Sequence, residues 1–171
     1  MGVEIERKFI VEDINVLIKV IEVEGASISE ISQIYISDET RLRVEIIDDI
    51  EINHNVFYYL TVKWGSGLTR LEYEIEMSEK EGNFLLMDLQ KSGKKQVDKT
   101  RYLFEYKNIV FELDVFKGEN TGLSILEVEL DSEDGEFNLP PGIGEEVTND
   151  EKYYNSYLAR NPYKNWSKKN E

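Results

Sequence analysis

The feature that most constrains this chain is a two-residue alternation in which one parity is apolar and the other carries charges sorted by sign. Glu4, Glu6 and Lys8 share a parity, as do Arg41, Arg43 and Glu45, then Arg70, Glu72, Glu74 and Glu76. Lys99, Arg101 and Glu105, the pair Glu112 and Asp114, and the pair Glu127 and Glu129 repeat the pattern, opposite Leu42, Val44, Leu71, Ile75, Phe111, Leu113 and Val128. Gln33 with Tyr35, and Thr61 with Lys63, follow the same rule. A period of two belongs to extended strands with unlike faces. It predicts strands near 3–11, 31–37, 40–47, 56–64, 69–77, 99–107, 109–117 and 124–131. About eight antiparallel strands suffice to close a barrel.

One wet face on an ordinary sheet accounts for any single strand of this kind. The segregation of Glu-x-Glu from Arg-x-Arg across nearly every strand asks for more. Two carboxylates about 4 Å apart repel by about 4 kcal/mol at an effective dielectric of 20, so converging pairs call for a bound cation. Arg41, Arg43, Lys63, Lys99 and Arg101 on one inner surface pose the inverse problem, and guanidinium forks match phosphate oxygens. A phosphate chain with its divalent metals satisfies both sets.

Two segments break the alternation with capping signals, Ser78-Glu79-Lys80-Glu81 ahead of Phe84, Leu85 and Leu89, and Thr148-Asn149-Asp150-Glu151 ahead of Tyr153, Tyr154, Tyr157 and Leu158. A third helix is expected over 13–22, a loop over 138–144, and a polar tail over 164–171. No linker interrupts the pattern, so residues 1–171 are expected to form a single mainly β domain of the α+β class, with helices flanking the barrel.

Composition narrows the chemistry. With no cysteine and a single histidine, any metal must be held by oxygen ligands or by His54, which makes Mg²⁺ or Mn²⁺ the natural candidates. His54 itself reads as a solvated residue of the Asn53-His54-Asn55 turn. The net charge of −15 argues against nucleic acid as a partner. The absence of a long apolar run or leader pattern predicts a soluble, cytoplasmic protein without a membrane partner. Apolar area on the outer barrel face is compatible with a homodimer.

The opening Glu4-Ile5-Glu6-Arg7-Lys8 resembles the Glu-x-Glu-x-Lys signature of the CYTH domain, the triphosphate tunnel metalloenzymes. It is joined in family order by Thr40-Arg41-Leu42-Arg43, Thr61-Val62-Lys63, Arg70-Leu71-Glu72-Tyr73-Glu74, Lys99-Thr100-Arg101, Glu112-Leu113-Asp114 and Glu127-Val128-Glu129. The resemblance implies an eight-stranded antiparallel tunnel. It implies that Glu4, Glu6, Asp114, Glu127 and Glu129 ligate a divalent metal, with Glu72 and Glu74 as further ligands or as groups orienting the cations. It also implies that Lys8, Arg41, Arg43, Lys63, Lys99 and Arg101 hold a triphosphate, that Lys152 closes one tunnel end, and that Lys8 and Tyr35 form a catalytic dyad. The Gln33-Ile34-Tyr35-Ile36 strand is similar to that of the compact bacterial tripolyphosphatases, so tripolyphosphate is the expected substrate. Thiamine triphosphate hydrolysis, cyclisation of ATP to cyclic AMP, and polyphosphate or nucleotide binding without catalysis are the alternatives.

Overall fold

The computed structural model describes residues 2–48, 54–65 and 67–166. Nine strands, β1 (Gly2–Val11), β2 (Ser27–Tyr35), β3 (Thr40–Asp48), β4 (His54–Trp64), β5 (Thr69–Met77), β6 (Gln96–Tyr106), β7 (Ile109–Phe116), β8 (Ser124–Glu129) and β9 (Ile143–Glu146), form one sheet. Their order is β5-β4-β3-β2-β6-β7-β8-β1-β9, and a β1–β5 pairing closes the first eight into an antiparallel barrel. β1 divides its pairing, since Gly2–Ile5 run beside β5 and Phe9–Val11 beside β9. The expected barrel is therefore present, with one strand more. β9 lies partly in the segment expected to be a loop, where Gly144 and Pro140-Pro141 hide a four-residue strand from any periodicity count.

Three helices, α1 (Ile14–Glu24), α2 (Glu79–Lys91) and α3 (Asn155–Arg160), accompany the barrel. Asp13 caps α1 by accepting from the amides of Asn15 and Val16, and Leu17 and Ile21 then bury against Phe9, Phe104, Phe111, Leu113, Leu126 and Val128 on the outer face. The expected capping box of Ser78 and Glu81 starts α2, whose Leu89 seals Ile34, Leu42, Val44 and Tyr58. α2 approaches β4 so closely that a Cβ on Gly82 would lie 2.1 Å from Cγ of Tyr58. The outer strip of Val3, Trp64, Leu71, Tyr73 and Ile75 has no helix over it and is exposed.

The C-terminal helix differs from expectation. Residues 151–153 form a 3₁₀ turn, Tyr154 is extended (φ −73°, ψ 137°), and only then does α3 begin. The break coincides with a tertiary tether: the Tyr154 hydroxyl accepts from the Gly67 amide (3.0 Å) and donates to the Thr148 carbonyl (3.2 Å). α3 places Leu158 and Ala159 against Val97, Phe116 and Ile125, inward-parity residues that fill this barrel end with hydrocarbon. Residues 164–166, at the start of the expected polar tail, belong to a 3₁₀ turn over Tyr163–Asn165 and the Trp166 that follows it, whose ring is edge-on to Tyr153 and Tyr163. Residues 167–171 lie outside the described part. His54 is the first residue of β4, opposite Asp48, rather than part of a turn; Asn53 lies outside the described residues. No described helix is long and apolar enough to cross a membrane.

Candidate active site

The inward parity of the strands meets in a cavity of about 630 Å³ that runs from the β2–β3 turn and α3 at one end to Asn108 of the β6–β7 turn and Val110 of β7 at the other. Lys8, Arg41, Arg43, Lys63 and Arg101 line it, as expected, together with Tyr35. Of the carboxylates expected from sequence, Glu4, Glu6, Glu72, Glu127 and Glu129 do so, joined by Asp38, Glu39, Glu112 and Glu151. The two signs are interlocked. Lys8, only 5% exposed, pairs with Glu127 and with Glu6 (2.7 Å); Lys63 pairs with Glu4 (2.7 Å) and Glu72 (2.5 Å). Arg101 bonds Glu127 (2.9 Å) and pairs with Glu112.

Four expected site residues lie elsewhere. Asp114 and Lys99 are fully buried behind the wall, paired with each other, and Asp114 grips Arg101 through two bonds of 2.7 and 2.8 Å. In this arrangement they set the aim of Arg101. Glu74 likewise sits behind Arg43, bonding its Nη2 (2.9 Å) while the Thr61 hydroxyl donates to its other oxygen (2.8 Å). Lys152 is exposed in the 3₁₀ turn and does not line the cavity; Arg160 of α3 reaches it instead, paired with Asp38 (2.8 Å).

The electrostatics show what the cavity lacks. Burial alone would lower the Lys8 pKa, but Glu127 and Glu6 outweigh it and the pKa rises. Burial would raise Glu127, yet Lys8, Lys99 and Arg101 hold it well below the usual carboxylate range. Burial raises the Tyr35 phenol despite Arg41 beside it, and its hydroxyl donates to Gln33 Oε1 (3.2 Å). No hydrogen bond joins Lys8 to Tyr35 among the described residues. Glu129 is pushed up, by burial first and then by the neighbouring carboxylates of Glu4, Glu6 and Glu72.

Two unmet demands follow. The Nε atoms of Arg41, Arg43 and Arg70 are buried with no hydrogen-bond partner among the described residues, although all three side chains line the cavity. A buried guanidinium N–H left unpaired is costly, and a phosphate oxygen is the acceptor that suits it. Glu129, directly opposite Glu6 across β1 and β8, feels Glu4, Glu6 and Glu72 against Lys63 alone, and the carboxylates prevail. Among the described residues, no three carboxylates close on one point in the rotamers adopted, because lysines and arginines hold most of them. The donors around Glu129 are nonetheless all oxygen and lie on adjacent strand positions, the set a hard divalent cation uses.

Arg70 was not among the site residues expected from sequence, although it shares the parity of Glu72 and pairs with Glu6; that parity was the available signal. Asn155, Ser156 and Arg160 arrive from α3, where strand parity carries no information. Comparison with known proteins agrees with this geometry. The CYTH domain family matches residues 2–158. The chain is 39% identical to an inorganic triphosphatase of Acetivibrio thermocellus, covering 97% of this chain and 99% of that one. It is 42% identical to an inorganic triphosphatase of Nitrosomonas europaea over 60% of this chain and 68% of the other. A crystal structure of an inorganic triphosphatase superposes with a TM-score of 0.60 at 32% identity, covering 93% of this chain and 95% of that chain.

Proposed function

The chain belongs to the CYTH domain family, and from that premise we propose that it is an inorganic triphosphatase, releasing phosphate from tripolyphosphate with the help of a divalent metal. The observation that carries the reading is the set of three buried guanidinium Nε atoms on the cavity wall, because no described residue accepts a hydrogen bond from them.

The chain's own residues supply grip and orientation. Arg41, Arg43 and Arg70 offer N–H groups to phosphate oxygens, and Glu74, Thr61 and the ring of Tyr59 (4.6 Å from the Arg43 guanidinium carbon) fix the direction of Arg43. Arg101 is held from behind by Asp114. Lys63 and Lys8 add positive charge, so negative charge developing on the transferring phosphoryl group meets preorganised cations. Glu4, Glu6 and Glu129, with Glu127 and Glu72 beside them, would hold Mg²⁺ or Mn²⁺. Such a cation, when bound, neutralises phosphate oxygens and orients water for in-line attack.

Lys8 and Tyr35 stand on the cavity wall as a candidate catalytic pair. In the resting arrangement both keep their protons, which suits hydrogen-bond donation to phosphate or water. A base role requires Lys8 to shed Glu127 and Glu6. The test is phosphate release from tripolyphosphate, ATP and thiamine triphosphate with Mg²⁺, with Mn²⁺ and with chelator. Metal-dependent release favouring tripolyphosphate supports the reading. Cyclic AMP and pyrophosphate from ATP would make the chain a cyclase, and tight binding without turnover would make it a binding module. A Lys8→Ala variant with full turnover would remove Lys8 from the chemistry.

A further inference from the structure

We propose that Glu39 and Glu151 form a length stop at the α3 end of the cavity, restricting the reaction to a short phosphate chain; this rests on the triphosphatase reading. The inward ladder of β3, extended into the preceding turn, reads Glu39, Arg41, Arg43, Glu45. Successive inward positions on a strand lie about 7 Å apart. Two guanidinium groups are thus followed by a carboxylate on either side. Glu45, on one side, approaches Arg43 (3.9 Å). Glu39, on the other, takes the hydroxyl of Ser37 (3.0 Å), and both Glu39 and Glu151 line the cavity without an ion-pair partner among the described residues. Asp38 differs, because Arg160 neutralises it.

Both carboxylates ride on anchored segments. The Lys63 amide donates to the Glu39 carbonyl (2.8 Å), fastening the β2–β3 turn to the strand that carries Lys63. The Tyr154 tether to Gly67 and Thr148 fastens the segment around Glu151 to the β4–β5 turn. The anchored backbone keeps both exposed carboxylates at this mouth. A phosphate beyond those gripped by Arg41 and Arg43 therefore meets negative charge, and repulsion of this kind is how a site rejects a ligand it would otherwise accept.

The experiment compares initial rates on tripolyphosphate and tetrapolyphosphate for the wild type, Glu39→Gln, Glu151→Gln and the double variant. The double variant is expected to raise kcat/KM for tetrapolyphosphate about tenfold at low salt, with a smaller gain at high salt, while tripolyphosphate changes by less than about twofold. An unchanged ratio of the two substrates in the double variant overturns the stop. If the wild type releases no phosphate from tripolyphosphate, the triphosphatase reading fails instead. Calorimetric titration then still reads the stop: stronger binding of tripolyphosphate than of tetrapolyphosphate, equalised in the double variant, sustains it, and equal wild-type affinities overturn it.

Discussion

Lys8 and Glu127 stand directly opposite each other across β1 and β8, each 5% exposed, and their side chains form an ion pair inside the barrel. Breaking a buried pair by removing one partner strands the other charge and costs about 3–5 kcal/mol. Glu127→Leu is expected near the lower end, because Glu6 remains within 2.7 Å of Lys8. The Lys8→Met/Glu127→Leu double variant should recover most of that loss. Denaturant midpoints of the four proteins check this, and a double variant as unstable as the sum of the singles would show that the pair is not coupled.

Arg41 contributes a buried Nε that no described residue satisfies. Lysine keeps the charge and loses the fork, so Arg41→Lys should lower kcat/KM for tripolyphosphate by about ten- to a hundredfold with little change in melting temperature. Steady-state kinetics beside a thermal melt separate this from a folding defect.

Glu129 is crowded by like charge, and a divalent cation relieves that crowding. Saturating Mg²⁺ or Mn²⁺ should raise the melting temperature without any substrate, by about 2.7 kcal/mol of stability at a hundred times the dissociation constant. Glu129→Gln should shrink the shift, and chelator should abolish it in the wild type. A shift of undiminished size in the variant would remove Glu129 from the ligand set.

Outside the cavity, Arg7 of β1 donates its Nε to Glu146 of β9 (2.9 Å) and holds that carboxyl below its ordinary value. A depressed carboxylate stabilises the fold above its unfolded pKa and loses that contribution as pH falls through the folded pKa. The pair is about one-third exposed, so the effect is below about 1 kcal/mol. Unfolding free energies at pH 7 and pH 3 should differ less for Glu146→Gln than for the wild type.

At the outer face, Gly82 leaves no room for a Cβ against Tyr58. Gly82→Ala should cost about 1–3 kcal/mol by displacing that ring or lifting α2, despite the better helix propensity of alanine. Specific activity of the folded fraction should be unchanged, which calorimetry and an assay at low temperature will show together.

The barrel and most of its inner wall were legible because one physical rule, the period of two, governs every strand and assigns each side chain to a face. Glu4, Lys8, Arg43 and Glu129 all fall where that rule puts them. Parity does not report depth, and so it does not distinguish Arg101 on the wall from Lys99 and Asp114 behind it. β9 is too short to show a period, and the contribution of α3 depends on a tertiary tether through Tyr154 that leaves no local trace. Arg70 was legible in principle, since only its separation from the other basic doublets set it apart.

The interlocking of the inner charges has a thermodynamic consequence. Lys63 answers Glu4 and Glu72, and Lys8 answers Glu6 and Glu127, so each potential anion site is occupied by a potential cation site of the same wall. A metal that takes the carboxylates releases ammonium groups for phosphate, and a phosphate that takes the ammonium groups releases carboxylates for metal. Two ligands held in this way would bind with positive heterotropic cooperativity, each strengthening the other by the same factor.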